Sequence, residues 1–115
     1  MQTDDLFQEM MLNAKTAFGV HWQQVSDYLP TELKKMAVQL NSIADNVAAF
    51  QLDNTQGYSP ATGKLMLQMQ QHACVSVLVA MTQLTLLAVQ DAVNSILAAL
   101  RSALVKVASP LLLVL

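Results

Sequence analysis

Apolar residues recur along the first part of the chain at alternating spacings of three and four: Phe7, Met11, Ala14, Phe18, His21 or Trp22, Val25 and Leu29. That period places them on one face of a helix, with Asp5, Glu9, Asn13, Thr16, Gln23 and Asp27 on the other. Thr3 followed by Asp4 and Asp5 marks its start, because a hydroxyl can cap free N–H groups and carboxylates suit the positive end of the helix dipole. A second stripe runs through Leu33, Ala37, Leu40, Ala44, Val47 and Phe50 or Gln51, widened by Met36 and Ile43. Lys35, Gln39, Ser42, Asn46 and Asp53 face water there. Pro30 separates the two runs, since its fixed φ and missing N–H suit the first turn of a helix. The pattern predicts helices over 3–29 and 31–53, joined at Leu29-Pro30 as an antiparallel hairpin. Its core should include Phe7, Met11, Phe18, Val25, Leu33, Leu40, Val47 and Phe50. Gly19 lies inside the first run at a cost of about 1 kcal/mol relative to alanine, and reads either as a close helix crossing or as a tolerated glycine.

Residues 54–59 hold the turn formers, and Ser59 before Pro60 is a helix cap with proline at the first position. From Lys64 to Ser109 there is no glycine or proline, so the third predicted helix spans 60–109, with about 45 uninterrupted residues near 70 Å long. A break near Asp91 to Ser95 is the alternative and has no local signal. Pro110 stops the run, and Leu111 to Leu115 follow as an apolar tail. Gln68, Ser76, Gln83, Gln90, Asn94 and Arg101 form a narrow wet stripe on an otherwise apolar cylinder. Such a helix is the central member of a bundle or of an oligomer. The expected fold is all-α: a single domain over 1–115 in which the hairpin packs on one long C-terminal helix, a three- or four-helix bundle completed by oligomerisation.

Composition sharpens this picture. Of 115 residues, 54% are hydrophobic and 12% charged, too apolar for disorder and too poor in charge for a well-solvated surface. Six Lys and Arg against eight Asp and Glu offer no basic patch for phosphates, so nucleic acid is not an expected partner. Residues 1–63 carry a net −4 and residues 64–115 a net +2, a weak steering term at such low density. One cysteine, Cys74, rules out a disulfide framework, and the acidic start lacks the features of a secretory signal, which reads as cytoplasmic. The 26 uncharged residues between Lys64 and Asp91 raise membrane association as the alternative. Glutamines, Ser76 and threonines interrupt that stretch, and no aromatic belt flanks it.

Chemistry is sparse. His21 lies between Phe18 and Val25 on the apolar face and reads as a core or boundary histidine. His72 and Cys74, two apart, point in different directions on a helix, and Glu9 and Glu32 lack a histidine three residues on. No phosphate loop, catalytic triad or dinucleotide fingerprint is present. No catalytic, metal or cofactor residues are assigned, and Asp91 is placed on the wet stripe. Seven methionines give adaptable packing surface. The expectation is a non-catalytic, self-associating helical protein with a structural, adaptor or chaperone-like role. Its partner is a second copy of itself, or else another helical protein. A symmetric pairing would join Val89, Ala92, Val93, Ile96, Leu97, Leu100, Leu104 and Val107 on the far half of the long helix, with Asp91 and Arg101 facing across it.

The second stripe generates a direct test of the hairpin. Truncating Leu40 to Ala should cost about 2–5 kcal/mol, the usual penalty for a buried leucine. Urea denaturation measures it, and a change below about 0.5 kcal/mol, typical of an exposed site, would place this face in water.

Overall fold

The computed structural model describes residues 2–115, which form helices and no strand. The elements are α1 (Thr3–Phe18), a 3-10 turn (Gly19–His21), α2 (Trp22–Val25), α3 (Leu29–Leu52), α4 (Pro60–Met81), α5 (Leu86–Val105) and a C-terminal 3-10 turn (Pro110–Leu113). α1 packs on α3 and α5, α3 on α4, and α4 on α5, closing a four-helix ring. The protein is an all-α helical bundle.

The hairpin is present, but its reversal lies at Gly19 rather than at Leu29-Pro30. Gly19 adopts φ 55°, ψ −122°, a conformation that a side chain at Cβ disfavours, and the chain turns there. Nothing lies within 4 Å of where a Cβ would stand, so backbone conformation and not a close helix crossing explains the glycine. After the turn, Ser26 and Tyr28 keep right-handed helical dihedrals, so α2 and α3 run on with only an interrupted ladder between them. Pro30 accounts for the interruption: it cannot donate to the Ser26 carbonyl, and its ring crowds that same group. The expected 3–29 helix is therefore two helices and a turn, whereas the expected 31–53 helix matches α3 closely. The Lys34 ammonium meets the Asp4 carboxylate at 2.5 Å and lies 5.3 Å from the Phe7 ring centre. The start of α1 thus sits beside the second turn of α3, as an antiparallel hairpin reversing at Gly19 requires.

The cap of α1 is Gln2, not Thr3, with the Asp5 carboxylate accepting from the Gln2 N–H at 3.3 Å. Leu6, Met10, Ala14 and Phe18 are the buried face of this helix, while Phe7 and Met11 are only half-buried. The apolar pairs Leu6-Phe7 and Met10-Met11 leave the sequence two nearly equal faces, and the helix buries the i, i+4 row. Val25, Leu33, Leu40 and Val47 are fully buried as expected. Phe50 is half-buried near the end of α3.

The largest departure is in the third segment. Residues 60–109 do not form one helix: α4 ends at Met81, α5 begins at Leu86, and α5 folds back along the bundle. The Thr82 hydroxyl donates to the Leu78 carbonyl at 2.6 Å and accepts from the Leu84 N–H at 3.2 Å. Thr85 then caps α5 by accepting from the Ala88 N–H at 3.2 Å. Two threonines therefore satisfy the backbone groups that a break exposes, without glycine or proline. Asp91 to Ser95, the other candidate for a break, lies within continuous helix. The helix also ends earlier than expected, at Val105, and Ala108 takes φ 50° before Pro110.

α1 reaches only the first turns of α3, and the tail fills the space beyond it. The C-terminal 3-10 turn packs on α3 and α5, burying Leu111 and Val114. Gly63 admits this contact, since a Cβ there would stand 3.0 Å from Val114, 3.1 Å from Ile43 and 3.2 Å from Val47. The accessible surface of 6435 Å² is close to the roughly 6200 Å² expected of a compact monomer of this mass.

Replacing Gly19 by Ala should destabilise the fold by about 1–3 kcal/mol, the cost of a residue held in a sparsely populated conformation. Replacing Ala108 by Gly should stabilise it, by up to about 1 kcal/mol. Thermal melts of the two variants read opposite shifts, and a neutral Gly19 variant would contradict the turn.

Candidate functional site

The surface predicted for association is not a surface. Val89, Ala92, Val93, Ile96, Leu97, Leu100 and Leu104 are all buried inside the chain's own bundle. Only Val107 remains outward, 58% exposed, beyond the end of α5. The apolar face of α5 was real, but the break at residues 82–85 lets α1, α4 and the C-terminal tail cover it. A charge at Leu97 or Leu100 would accordingly enter the core and unfold the chain rather than split a dimer. Nor does Arg101 face Asp91: its Nη1 donates to the backbone oxygens of Leu112 at 2.9 Å and Leu115 at 3.1 Å, holding the tail.

The wet stripe is redistributed in the same way. Gln68 on α4 and Asn94 and Arg101 on α5 do not follow one another down a single helix but line a cleft between two. Gln71 donates to Asn94 across this seam. The cleft, about 290 Å³, is completed by Lys64, Leu67, Leu97, Ala98, Val114 and Leu115. It continues past the Gln71–Asn94 bridge into a more polar section bounded by His72, Val75 and Gln90. Asp91 lies on the exposed side of α5, outside both sections.

A second concavity, of about 540 Å³, lies where α3 ends against the tail. Ala48, Gln51, Leu52, Ala108, Ser109, Pro110, Leu112 and Leu113 line it without a charged side chain. Leu52 is 90% exposed and Leu113 54% exposed at its rim, with Val105 and Val107 outward beside it in sequence.

Glu32 is the one buried charged residue among those described, and it pairs with Lys35 at 3.1 Å. Its negative charge acts on Cys74, which α4 brings to the same level of the bundle. Burial, and after it Glu32, pushes the Cys74 thiol up to about 12, so the sulfur stays protonated and unreactive. His21 is half-buried at the opposite end, beside Gln24, Gln83, Leu84, Thr85 and Ala88, while His72 is exposed. Among the described residues no three of His, Cys, Asp and Glu converge as metal ligands would. No helix of the described residues is long and apolar enough to cross a membrane, because the break divides the uncharged stretch.

The chain matches no protein-family model, no curated protein and no solved structure.

The buried thiol predicts a pH dependence. Between the ordinary thiol value of 9.0 and about 12, the unfolded chain releases the Cys74 proton while the folded chain keeps it. Stability from this group is fully present below pH 9.0 and is lost as pH rises toward 12. Urea titrations should show that decline in the native protein and a shallower one in Cys74→Ala. Equal slopes would mean that the thiol is not shielded.

Proposed function

We propose that this protein is a non-catalytic helical-bundle module that works by association, as a structural, adaptor or chaperone-like subunit whose first partner is a second copy of itself. The observation that carries the reading is the apolar concavity where α3 ends against the tail, whose lining holds no charged side chain. Leu52 and Leu113 stand in water at its rim, and Val105 and Val107, which flank the exposed Lys106, are outward just before its residues in sequence. Two copies meeting through one such patch would form a closed symmetric contact, the commonest arrangement of soluble oligomers. The scattered titratable groups support association rather than catalysis. The balance of six basic against eight acidic residues supports a protein partner over nucleic acid.

A second reading has its own observation. Leu65 and Met69, one turn apart on the outer face of α4, are 61% and 71% exposed, as a helix lying on a lipid or other hydrophobic surface would present them.

Light scattering coupled to size exclusion separates these readings. The association reading expects a dimer at micromolar concentration, with Leu52→Glu and Leu113→Glu giving a single-chain mass and an unchanged melting temperature. A single-chain mass for the unaltered protein contradicts it. Sedimentation with lipid vesicles, abolished by Leu65→Glu and Met69→Glu, would favour the second reading.

A further inference from the structure

We propose that the cleft between α4 and α5 is a binding site for a short aliphatic carboxylate, whose charge meets Lys64 and Arg101 and whose chain lies on Leu67, Leu97, Ala98 and Val114. The inference goes beyond the association reading and does not depend on it.

The seam itself is the first argument. Around the rest of the ring the helices meet through large, fully buried side chains such as Leu6, Met10, Leu33, Leu40 and Ile43. Between α4 and α5 the facing positions are Gln68, Gln71 and Asn94 above an apolar floor, and a cleft of about 290 Å³ remains. Bundles take ligands between facing helices, and this groove, with an exposed polar rim above a floor of buried Leu67, Leu97 and Val114, is such a position. Its size lies at the small end of ligand sites, which suits a short chain better than a ring system with substituents.

Charge is the second argument. The lining holds two basic side chains, Lys64 and Arg101, and no Asp or Glu side chain. Lys64 is exposed at the mouth, and its side chain makes no hydrogen bond or ion pair among the described residues. Arg101 spends Nη1 on the tail's backbone oxygens, and its other guanidinium nitrogens have no partner among the described residues. The amides of Gln68 and Gln71 add donors suited to an anion's oxygens. An apolar floor closed by cations at one end selects an amphipathic anion over a neutral or cationic chain of the same length.

Octanoate, held below its micelle concentration, is the probe, with octylamine and 1-octanol as controls. Amide shifts in a nitrogen–proton correlation spectrum should saturate with octanoate at Gln68, Gln71, Asn94 and Ala98. Lys64→Gln should raise the Kd about fivefold, the effect of losing one partly exposed charge pair, with no change in melting temperature. Arg101→Lys should retain binding better than Arg101→Gln. The proposal is overturned if octanoate does not saturate, if octylamine or octanol binds equally well, if the shifts map to another face, or if Lys64→Gln leaves the Kd unchanged.

Discussion

Two threonine hydroxyls govern how the apolar C-terminal half is covered. A continuous helix over residues 60–109 would leave much of its length beyond the reach of the hairpin, exposing an apolar face to water. Thr82 and Thr85, the two ends of the four-residue link 82–85, replace the lost helical hydrogen bonds on either side of it, and α5 returns over the core. Burying Val89, Val93, Ile96, Leu100 and Leu104 then removes from water the surface that a partner would otherwise have to hide. Each hydroxyl contributes on the order of 1 kcal/mol as a cap. The far larger apolar burial decides that the fold-back happens, and the caps decide where.

The remaining architecture follows from unequal lengths. α1 has 16 residues and lies beside the first turns of α3, which has 24. The far part of α3 needs another cover, and Leu111 and Val114 of the tail supply it over Gly63. Arg101 fixes that cover by holding the tail's carbonyls, so one side chain closes the end of the bundle and borders the cleft. The same economy leaves the end of α3 apolar and open, the surface on which the association reading rests.

Much of this fold was legible in the chain because apolar periodicity and proline caps act locally. α3 falls within two residues of its expected start, and Ser59-Pro60 opens α4 as read. Gly19 was legible as an anomaly but not as a reversal, because its positive φ leaves no trace in an apolar pattern. The break at residues 82–85 escaped because a threonine in a helix and a threonine capping one look alike until the backbone is known. The candidate site failed for the same reason. Val89 to Leu104 were correctly read as a face needing cover, yet the cover came from the same chain. Gln68, Asn94 and Arg101 were correctly read as exposed polar positions but wrongly as one stripe down a single helix. Only the fold-back sets them across from one another, turning a wet stripe into a cleft.

The fold-back can be measured without reference to function. Spin labels on cysteines at Gln68 and Ala98, in a Cys74→Ala background diluted with unlabelled chain, report one intramolecular distance by pulsed electron resonance. The account predicts labels within about 20 Å, since adjacent helices pack roughly 8–10 Å apart and the label arms add the rest. A separation near 45 Å, the span of about 30 residues of continuous helix, would contradict it.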